Sequence, residues 1–351
     1  MQTQLTSLKQ ELSGELYDST LVKSLYATDA SVYRELPYAV ALPKTTADIK
    51  WLIEFAQSNA LSIIPRAAGT SLAGQCVGDG IVVDVSKYMN AILEINTQEQ
   101  WVRVQPGVVR DHLNTFLKPY GFFFGPNTST ANRCTMGGMV GNNSCGSTSI
   151  EYGSTRDHTL AIKAILSDGS AVEFTTLTRD EFNSKTKGTS LESNLYKQIY
   201  AELANPIIRE QIIEGYPKAS ISRRNTGYAV DTLMHSNVFE DTQEMFNFSK
   251  LLCGSEGTLA FTTELKLQIV PLPKPFQIVL NAHFNSITES LQATLVAMKL
   301  VPSACELMDK TILDCTKDNI TQQKNRFFVE GDPEAILMVE FRGATIEEAR
   351  Q

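Results

Sequence analysis

The chain has 351 residues, 42% of them hydrophobic and 20% charged, with a formal net charge of -8; at about 150 residues per domain it has room for two domains with substantial cores. The acidic balance and the lack of any Lys/Arg run exclude a nucleic-acid surface, because phosphate backbones demand clustered cations. No stretch reads as a signal peptide or approaches the ~18 apolar residues that span a bilayer, so the cytoplasm is the expected compartment.

In chain order, the first 36 residues read as an irregular helical lead-in. "YAVALP" then reads as a strand and "TTADIKWLIEFAQSNA" as a helix, with Thr45 and Asp48 spaced as a capping box and Ile49, Leu52, Ile53 and Ala56 on one face. Strand "LSII", the small-residue loop "PRAAGTSLAGQ" and strand "GIVVDVS" follow. "WVRVQPG" reads as a strand with a turn, "VVRDHLNTFLKPYG" as a helix closed by Gly121, and "FFFGP" as a buried segment. "LAIKAILSDGSAVEF" reads as an antiparallel hairpin with Asp168-Gly169 in a type I′ turn, and "GTLAFTTELKLQIV" as two strands. Pro271, Pro273 and Pro275 form a stiff boundary. Beyond it the pattern gives strand "FQIVLNAHF", a helix near Ile287 to Met298, strand "SACELMD", a helix from Asp309, strand "AILMVEF" and a helix start at "TIEEARQ". A capped helix one turn long needs further packing to be stable, so the second domain reads as incomplete.

The six cysteines, Cys76, Cys134, Cys145, Cys253, Cys305 and Cys315, include no C-x-x-C pair, so the usual zinc and iron–sulfur ligand spacings are missing. They read as reduced thiols, mostly small buried side chains, and only Cys145, in a glycine-rich segment, stands out.

The loop after "LSII" raises the question of phosphate binding. Gly69 and Gly74 have P-loop spacing, but Gln75-Cys76 stands where that motif needs Lys-Ser/Thr. A dinucleotide fingerprint fails too, because G-x-G-x-x-G is missing and a strand follows where a helix should begin. Two readings remain: a tight turn between strands, or a nest of backbone N–H groups supplemented by Thr70 and Ser71 hydroxyls, able to hold a pyrophosphate without a lysine. A second segment, "GPNTSTANRCTMGGMVGNNSCGSTSIEYGSTRD", favours the nest. A long loop dense in Gly, Asn, Ser and Thr suits close wrapping of a large polar ligand.

With "GSEGTL" as a third motif in order, the chain resembles the FAD-linked D-2-hydroxy acid dehydrogenases, the group of glycolate oxidase FAD subunits and cytochrome-linked D-lactate dehydrogenases, over roughly residues 35 to 272. The resemblance implies an α+β fold: a two-subdomain FAD-binding domain of the vanillyl-alcohol-oxidase type at 37–272, preceded by the lead-in and followed from 273 by part of an α+β substrate or cap domain, as in an N-terminal fragment. By position, Arg66, Ala67, Ala68, Gly69, Thr70 and Ser71 would hold the FAD pyrophosphate, with Gln75 just beyond. Pro126, Thr130, Gly137, Gly138, Asn142, Gly146, Ser147 and Gly153 would line the rest of the cofactor, and Glu256 with Gly257 would close it. Ala67 and Ala68 stand where many relatives have glycine, so the loop either keeps ordinary φ there or carries about 1 kcal/mol of strain per residue. Some relatives attach FAD through a histidine in this loop; none stands here, which implies non-covalent FAD.

The implied chemistry is oxidation of a D-2-hydroxy acid such as D-lactate, glycolate or D-2-hydroxyglutarate to the 2-oxo acid by hydride transfer to flavin. "SRRNTGYAVD" resembles the family's region near the flavin and offers Arg223, Arg224, Asn225 and Tyr228. Arg224 and Tyr228 are the candidate catalytic residues, since a guanidinium fork can bind both carboxylate oxygens. No metal ligands are assigned. His112, His158, His235 and His283 lack ligand-like spacing, and the family's histidine base and any metal ligands are expected beyond Gln351. Implied partners are the small acid and a downstream electron acceptor, an iron–sulfur domain, quinone or cytochrome, with no nucleic acid and no membrane span. An oxygen-using oxidase acting on another alcohol, an NADPH-fed flavin reductase of the cell-wall enolpyruvyl type and a module without its own turnover share these features and stay open.

Overall fold

The computed structural model describes residues 2–218, 220–221, 223–224 and 227–351; Asn225 of the arginine-rich loop lies outside the described residues. Two compact units share the chain: Met1–Phe124, Ser129–Ser144 and Thr155–Val270 form the first, and Gly125–Thr128, Cys145–Ser154 and Pro271–Gln351 the second.

The first unit opens with a sheet of β1 (Glu15–Tyr17), β2 (Ala39–Leu42), β3 (Ile63–Arg66) and β4 (Ile81–Asp84) in the order β1-β2-β4-β3. Strands β2, β4 and β3 run parallel and β1 antiparallel to β2. Parallel strands are covered on both faces, and β2 and the Ile81–Val83 part of β4 are accordingly apolar, with Asp84 buried at the end of β4. Strand alternation divides them: Ala39, Ala41, Ile81 and Val83 face one core, Val40 and Val82 the other. Helix Thr46–Ser58 lays Ile49, Leu52, Ile53 and Ala56 on the first core, as its spacing predicts, and its capping box forms between Thr45 and Asp48.

The lead-in departs from the sequence reading. Glu15–Tyr17 is a strand, and Leu5, Leu8, Leu12 and Leu16 are buried in the same core as Ile49 and Ile81. One buried residue in a three-residue strand leaves too little alternation to detect.

Asp48 joins lead-in to helix. Its carboxylate accepts from Ser13 N at 2.9 Å, Ser13 Oγ at 2.8 Å, Lys44 N at 2.8 Å and Thr45 N at 3.1 Å. Burial pushes this carboxyl's pKa up, but the hydrogen bonds from Lys44, Ser13 and Thr45 outweigh it and hold the group below its ordinary value. A depressed folded pKa means stability that is present above the ordinary carboxylate range and is lost as pH falls through the folded value. Urea midpoints followed from neutral into acid solution should therefore fall, and Asp48→Asn should flatten that fall while destabilising the neutral protein by about 1–3 kcal/mol. An unchanged acid limb in the variant would remove Asp48 from this role.

The unit's second sheet is antiparallel: β5 (Ile92–Asn96), β6 (Trp101–Val104), β8 (Thr159–Ile165), β9 (Ala171–Phe174) and β10 (Phe261–Gln268), in the order β5-β6-β10-β8-β9. Strand β7 (Phe122–Phe123) and strand β11 (Val270–Pro271) are two-residue pieces. "GTLAFTTELKLQIV", read as two strands, holds the single eight-residue β10 before β11, because Phe261, Thr263, Leu265 and Leu267 alternate inward with no turn residue between them. The β8–β9 hairpin forms, but not through a type I′ turn. Gly169 N donates to Leu166 O at 3.0 Å and only Gly169 takes positive φ, 78°, so the loop is three residues long and glycine alone supplies the left-handed step. Below the sheet, Phe182, Tyr196, Phe246 and Phe248 pack edge to face, with ring centroids 4.7 Å apart for Phe182–Phe246 and for Tyr196–Phe248.

The glycine-rich segment is also more ordered than its composition predicts, with short helices at Met136–Gly141, Ser149–Tyr152 and Thr155–His158. Met136, Met139 and Val140 supply a buried helical stripe that the surrounding glycines obscure.

The second unit contains a three-stranded antiparallel sheet, β12 (Phe276–Phe284), β13 (Ala304–Asp309) and β14 (Ala335–Gly343), in the order β12-β14-β13. Helices Ile287–Ala297, Lys310–Cys315 and Ile346–Arg350 start at Ser286, Asp309 and Thr345, whose side chains accept from Glu289 N, Ile312 N and Glu348 N. Among the described residues no helix is long and apolar enough to cross a membrane.

Candidate functional site

Strand β3 ends at Arg66 and releases the small-residue loop. Ala67 and Ala68 keep ordinary φ, and Gly69 and Gly74 take the left-handed steps at 64° and 76°, so the alanines carry no left-handed strain. Among the described residues, no backbone N–H from Ala67 to Ser71 donates to another protein group. These residues are half-buried. Unpaired donors in succession on a half-buried loop are what an anion-binding nest requires and what a self-contained turn avoids.

Arg66 stands at the start of this row of donors. Its Nη1 donates to Thr28 O at 2.9 Å and Tyr26 O at 3.4 Å, and its guanidinium lies 5.2 Å from the Tyr26 ring centroid. Tyr26 in turn donates to Asp84 Oδ2 at 2.8 Å, and Ala30 N donates to Gly69 O at 3.1 Å. Through Nη1 the Arg66 side chain ties the loop to the lead-in. A cleft of about 550 Å³ lies beside the loop, lined in part by Tyr33, Arg34, Gly74 and Gly78.

Two further segments close on the loop. A Cβ added at Gly138, in helix Met136–Gly141, would lie 3.0 Å from Ala67 Cβ, and one at Gly137 would lie 2.6 Å from Pro106 Cβ. Gln75 Nε2 donates to Asn142 Oδ1 at 3.3 Å, and Asn142 Nδ2 to Ser144 Oγ at 3.0 Å. The Cys253–Gly257 turn joins the same helix through Gly254 N to Val140 O and Glu256 N to Gly141 O, both 2.9 Å. Gly257 stands against Pro65, where a Cβ would meet ring carbon at 2.9 Å. Gly254, Glu256 and Gly257 all have positive φ, and for exposed Glu256 at 55° that conformation is strained.

Thr130 lies in a turn whose carbonyl accepts from Arg133 N at 2.9 Å and Cys134 N at 2.8 Å. Pro126, Gly146, Ser147 and Gly153 belong to the second unit. There Gly146 is packed so closely on Asn127 that a Cβ would lie 2.0 Å from its carbonyl oxygen, and Gly153 has φ 65°.

Arg224 pairs with buried Asp231 through Nη1. Tyr228, exposed, shares a hydrogen bond of 2.7 Å with Thr258 Oγ1, next to the Gly257 turn. His158 lies against Phe124 with ring centroids 5.5 Å apart, His235 pairs with Glu240, His283 Nε2 accepts from Glu330 N at 3.1 Å, and His112 is exposed. Among the described residues no group of His, Cys, Asp and Glu could hold a metal ion.

Sequence reasoning passed over Arg156 and Lys250. Arg156 is buried and Lys250 half-buried: Lys250 Nζ donates to Arg156 O at 2.8 Å and Thr159 O at 2.9 Å, and among the described residues the Arg156 guanidinium donates only to main-chain carbonyls. Burial pushes both pKa values below their ordinary range. The "GSTRDH" run carried no sign that its arginine turns inward.

Comparison with known proteins gives this arrangement a context. Residues 37–175 match the family described as FAD binding domain, and residues 274–351 match FAD linked oxidases, C-terminal domain. The chain is 36% identical over 349 residues to D-2-hydroxyglutarate dehydrogenase of Pantoea ananatis, covering 97% of this chain and 33% of that protein. Glycolate oxidase subunit GlcD of Bacillus subtilis is 26% identical over 305 residues, covering 86% of this chain and 52% of that one. The chain carries an FAD binding domain followed by an FAD linked oxidases C-terminal domain, and a D-2-hydroxyglutarate dehydrogenase and a glycolate oxidase subunit are among the proteins it is similar to. FAD is its cofactor, and the unpaired N–H groups of Ala67–Ser71, with glycine backbone close by, fit a pyrophosphate. The fold is of the vanillyl-alcohol-oxidase type: a solved alkyldihydroxyacetonephosphate synthase superposes with TM-score 0.66 at 16% identity, covering 100% of this chain and 57% of that one. Physcomitrella patens BBE-like 1 follows at TM-score 0.60 and 12% identity, covering 96% and 55%. The chain spans about a third of the length of the D-2-hydroxyglutarate dehydrogenases it matches.

Proposed function

We propose that the chain holds FAD non-covalently and serves in the oxidation of a D-2-hydroxy acid, with D-2-hydroxyglutarate the first candidate. The observation that carries the reading is the 36% identity to a D-2-hydroxyglutarate dehydrogenase across 97% of the chain. Residues 37–272 are taken as the FAD-binding domain and 273–351 as part of the substrate domain. When bound, FAD supplies the hydride acceptor. The backbone donors of Ala67–Ser71 bind the pyrophosphate, Gly138 and Gly257 let main chain approach, and Gln75 with Asn142 fixes the two glycine-rich segments against each other. Arg224 keeps guanidinium donors besides the Nη1 that meets Asp231, and a planar fork of this kind suits the acid's carboxylate. Thr258 Oγ1 donates to Ser255 O, so Tyr228 donates to Thr258 and keeps its phenol oxygen free to accept a hydrogen bond from the substrate hydroxyl. All six cysteines are free thiols, which supports a cytoplasmic setting.

Acid precipitation of the FAD-loaded protein is expected to release the flavin quantitatively as FAD; colour retained in the pellet would contradict non-covalent binding. D-2-hydroxyglutarate should perturb the visible flavin spectrum of the loaded chain while the L-isomer leaves it unchanged. A response to NADPH and to neither acid would transfer the chain to the flavin reductases.

A further inference from the structure

Arg156 is 9% exposed, and its side chain meets two segments at once. Nη1 donates to Arg224 O at 3.3 Å and Nη2 to Gly227 O at 3.0 Å on the arginine-rich loop, while Nε donates to Lys250 O at 3.1 Å and Nη2 to Cys253 O at 2.5 Å on the segment entering the Gly257 turn. Its own N–H donates to Asn143 Oδ1 at 2.8 Å, directly after the Met136–Gly141 helix. Three stretches distant in sequence thus meet on one residue. The contact leaves no spare room: a Cβ at Gly254 would lie 2.9 Å from both Arg156 Nη2 and Gly227 O.

A cation buried among neutral carbonyls, beside the half-buried ammonium of Lys250, is costly, and an apolar side chain would fill the space more cheaply. What only arginine supplies is a flat fork with five donors in fixed directions; lysine offers three from one point. The fork therefore sets the position of one main-chain segment relative to another. One of those segments continues to Glu256 and Gly257, which touch Gly141 and Pro65 at the foot of the pyrophosphate loop, and the other carries Arg224 and Tyr228.

We propose that Arg156 is a positioning residue: it fixes the Arg224–Tyr228 segment to the turn that closes the cofactor loop, and so sets where the substrate-binding guanidinium stands relative to the flavin. The proposal rests on the substrate role given above to Arg224. Arg156→Gln should therefore weaken binding of D-2-hydroxyglutarate to the FAD-loaded chain by about tenfold or more while FAD affinity changes severalfold at most, with Arg156→Lys regaining only part of the loss. Trypsin should also cut after Arg223 or Arg224 about tenfold faster in the folded Gln variant, since two carbonyl tethers are gone.

If Arg224→Gln loses acid binding while Arg156→Gln keeps it, the positioning role is overturned and the proposed function stands. If Arg224→Gln binds normally, the substrate role of Arg224 fails instead, and the tryptic rate still decides whether Arg156 clamps the segment; an unchanged rate overturns it. Should neither variant fold, hydrogen exchange on the unaltered chain decides: FAD loading must slow exchange at 223–231 as well as at 66–75, and slowing confined to the cofactor loops overturns the coupling.

Discussion

Gly69→Val is expected to abolish FAD binding while leaving the fold in place. Gly69 has φ 64°, where an L side chain costs about 1–2 kcal/mol and a β-branched one more. Its new Cβ would stand 2.6 Å from Arg66 Nη2, and that guanidinium cannot swing aside without leaving Thr28 O and the Tyr26 ring. The backbone must turn instead, and it carries the N–H groups that meet the pyrophosphate. Loss of two charge-assisted hydrogen bonds of about 1.5–3 kcal/mol each lowers affinity by roughly 10²–10⁴. Titration by flavin fluorescence, with circular dichroism confirming the fold, checks this. An unchanged dissociation constant would show that the loop is only a turn and would remove the nest from the cofactor site.

Removing residues 1–36 is expected to unfold the first unit, although the match to the FAD binding domain family begins at residue 37. Leu5, Leu8, Leu12 and Leu16 are each under 9% exposed in the core that holds Ile49 and Ile81. At ~1.5–3 kcal/mol for each leucine, their loss rivals the entire stability of an ordinary domain, about 5–15 kcal/mol. The cut also deletes Ser13, a partner of Asp48, and the Tyr26 and Thr28 carbonyls that hold Arg66. A truncated chain with the parent's melting temperature and FAD affinity would make the lead-in dispensable.

The two predictions differ in how visible their grounds are in sequence. Gly69, Gly138, Asn142 and Gly257 could be singled out because a close cofactor approach and left-handed turns demand particular residue types, and those types recur in fixed order along the chain. The helix Thr46–Ser58 was equally legible, since a cap and an apolar stripe are local patterns. The register of β10 between β6 and β8 was not, because pairing joins Leu265 to Val104 and to Ile162 across long intervals of chain. Nor could sequence show that Leu16 completes a parallel sheet, as three residues have no measurable period.

By itself, then, the sequence determined the helix caps, the glycine positions and the order of most elements, which follow from local stereochemistry or from residue types at short spacing, while FAD was implied by the resemblance of three ordered motifs to a known family. Only the tertiary structure decided where the charges went. Arg66 donates through Nη1 to the carbonyls of Tyr26 and Thr28; Arg224 gives one nitrogen to buried Asp231; Arg156 is the buried fork between two segments. A guanidinium on a flexible stem reaches whichever acceptors the fold brings near, and those acceptors lie 38 to 97 residues away for Arg66 and for the Arg156 side chain. Side-chain destination is therefore a property of the assembled chain, while the backbone's local needs are written residue by residue.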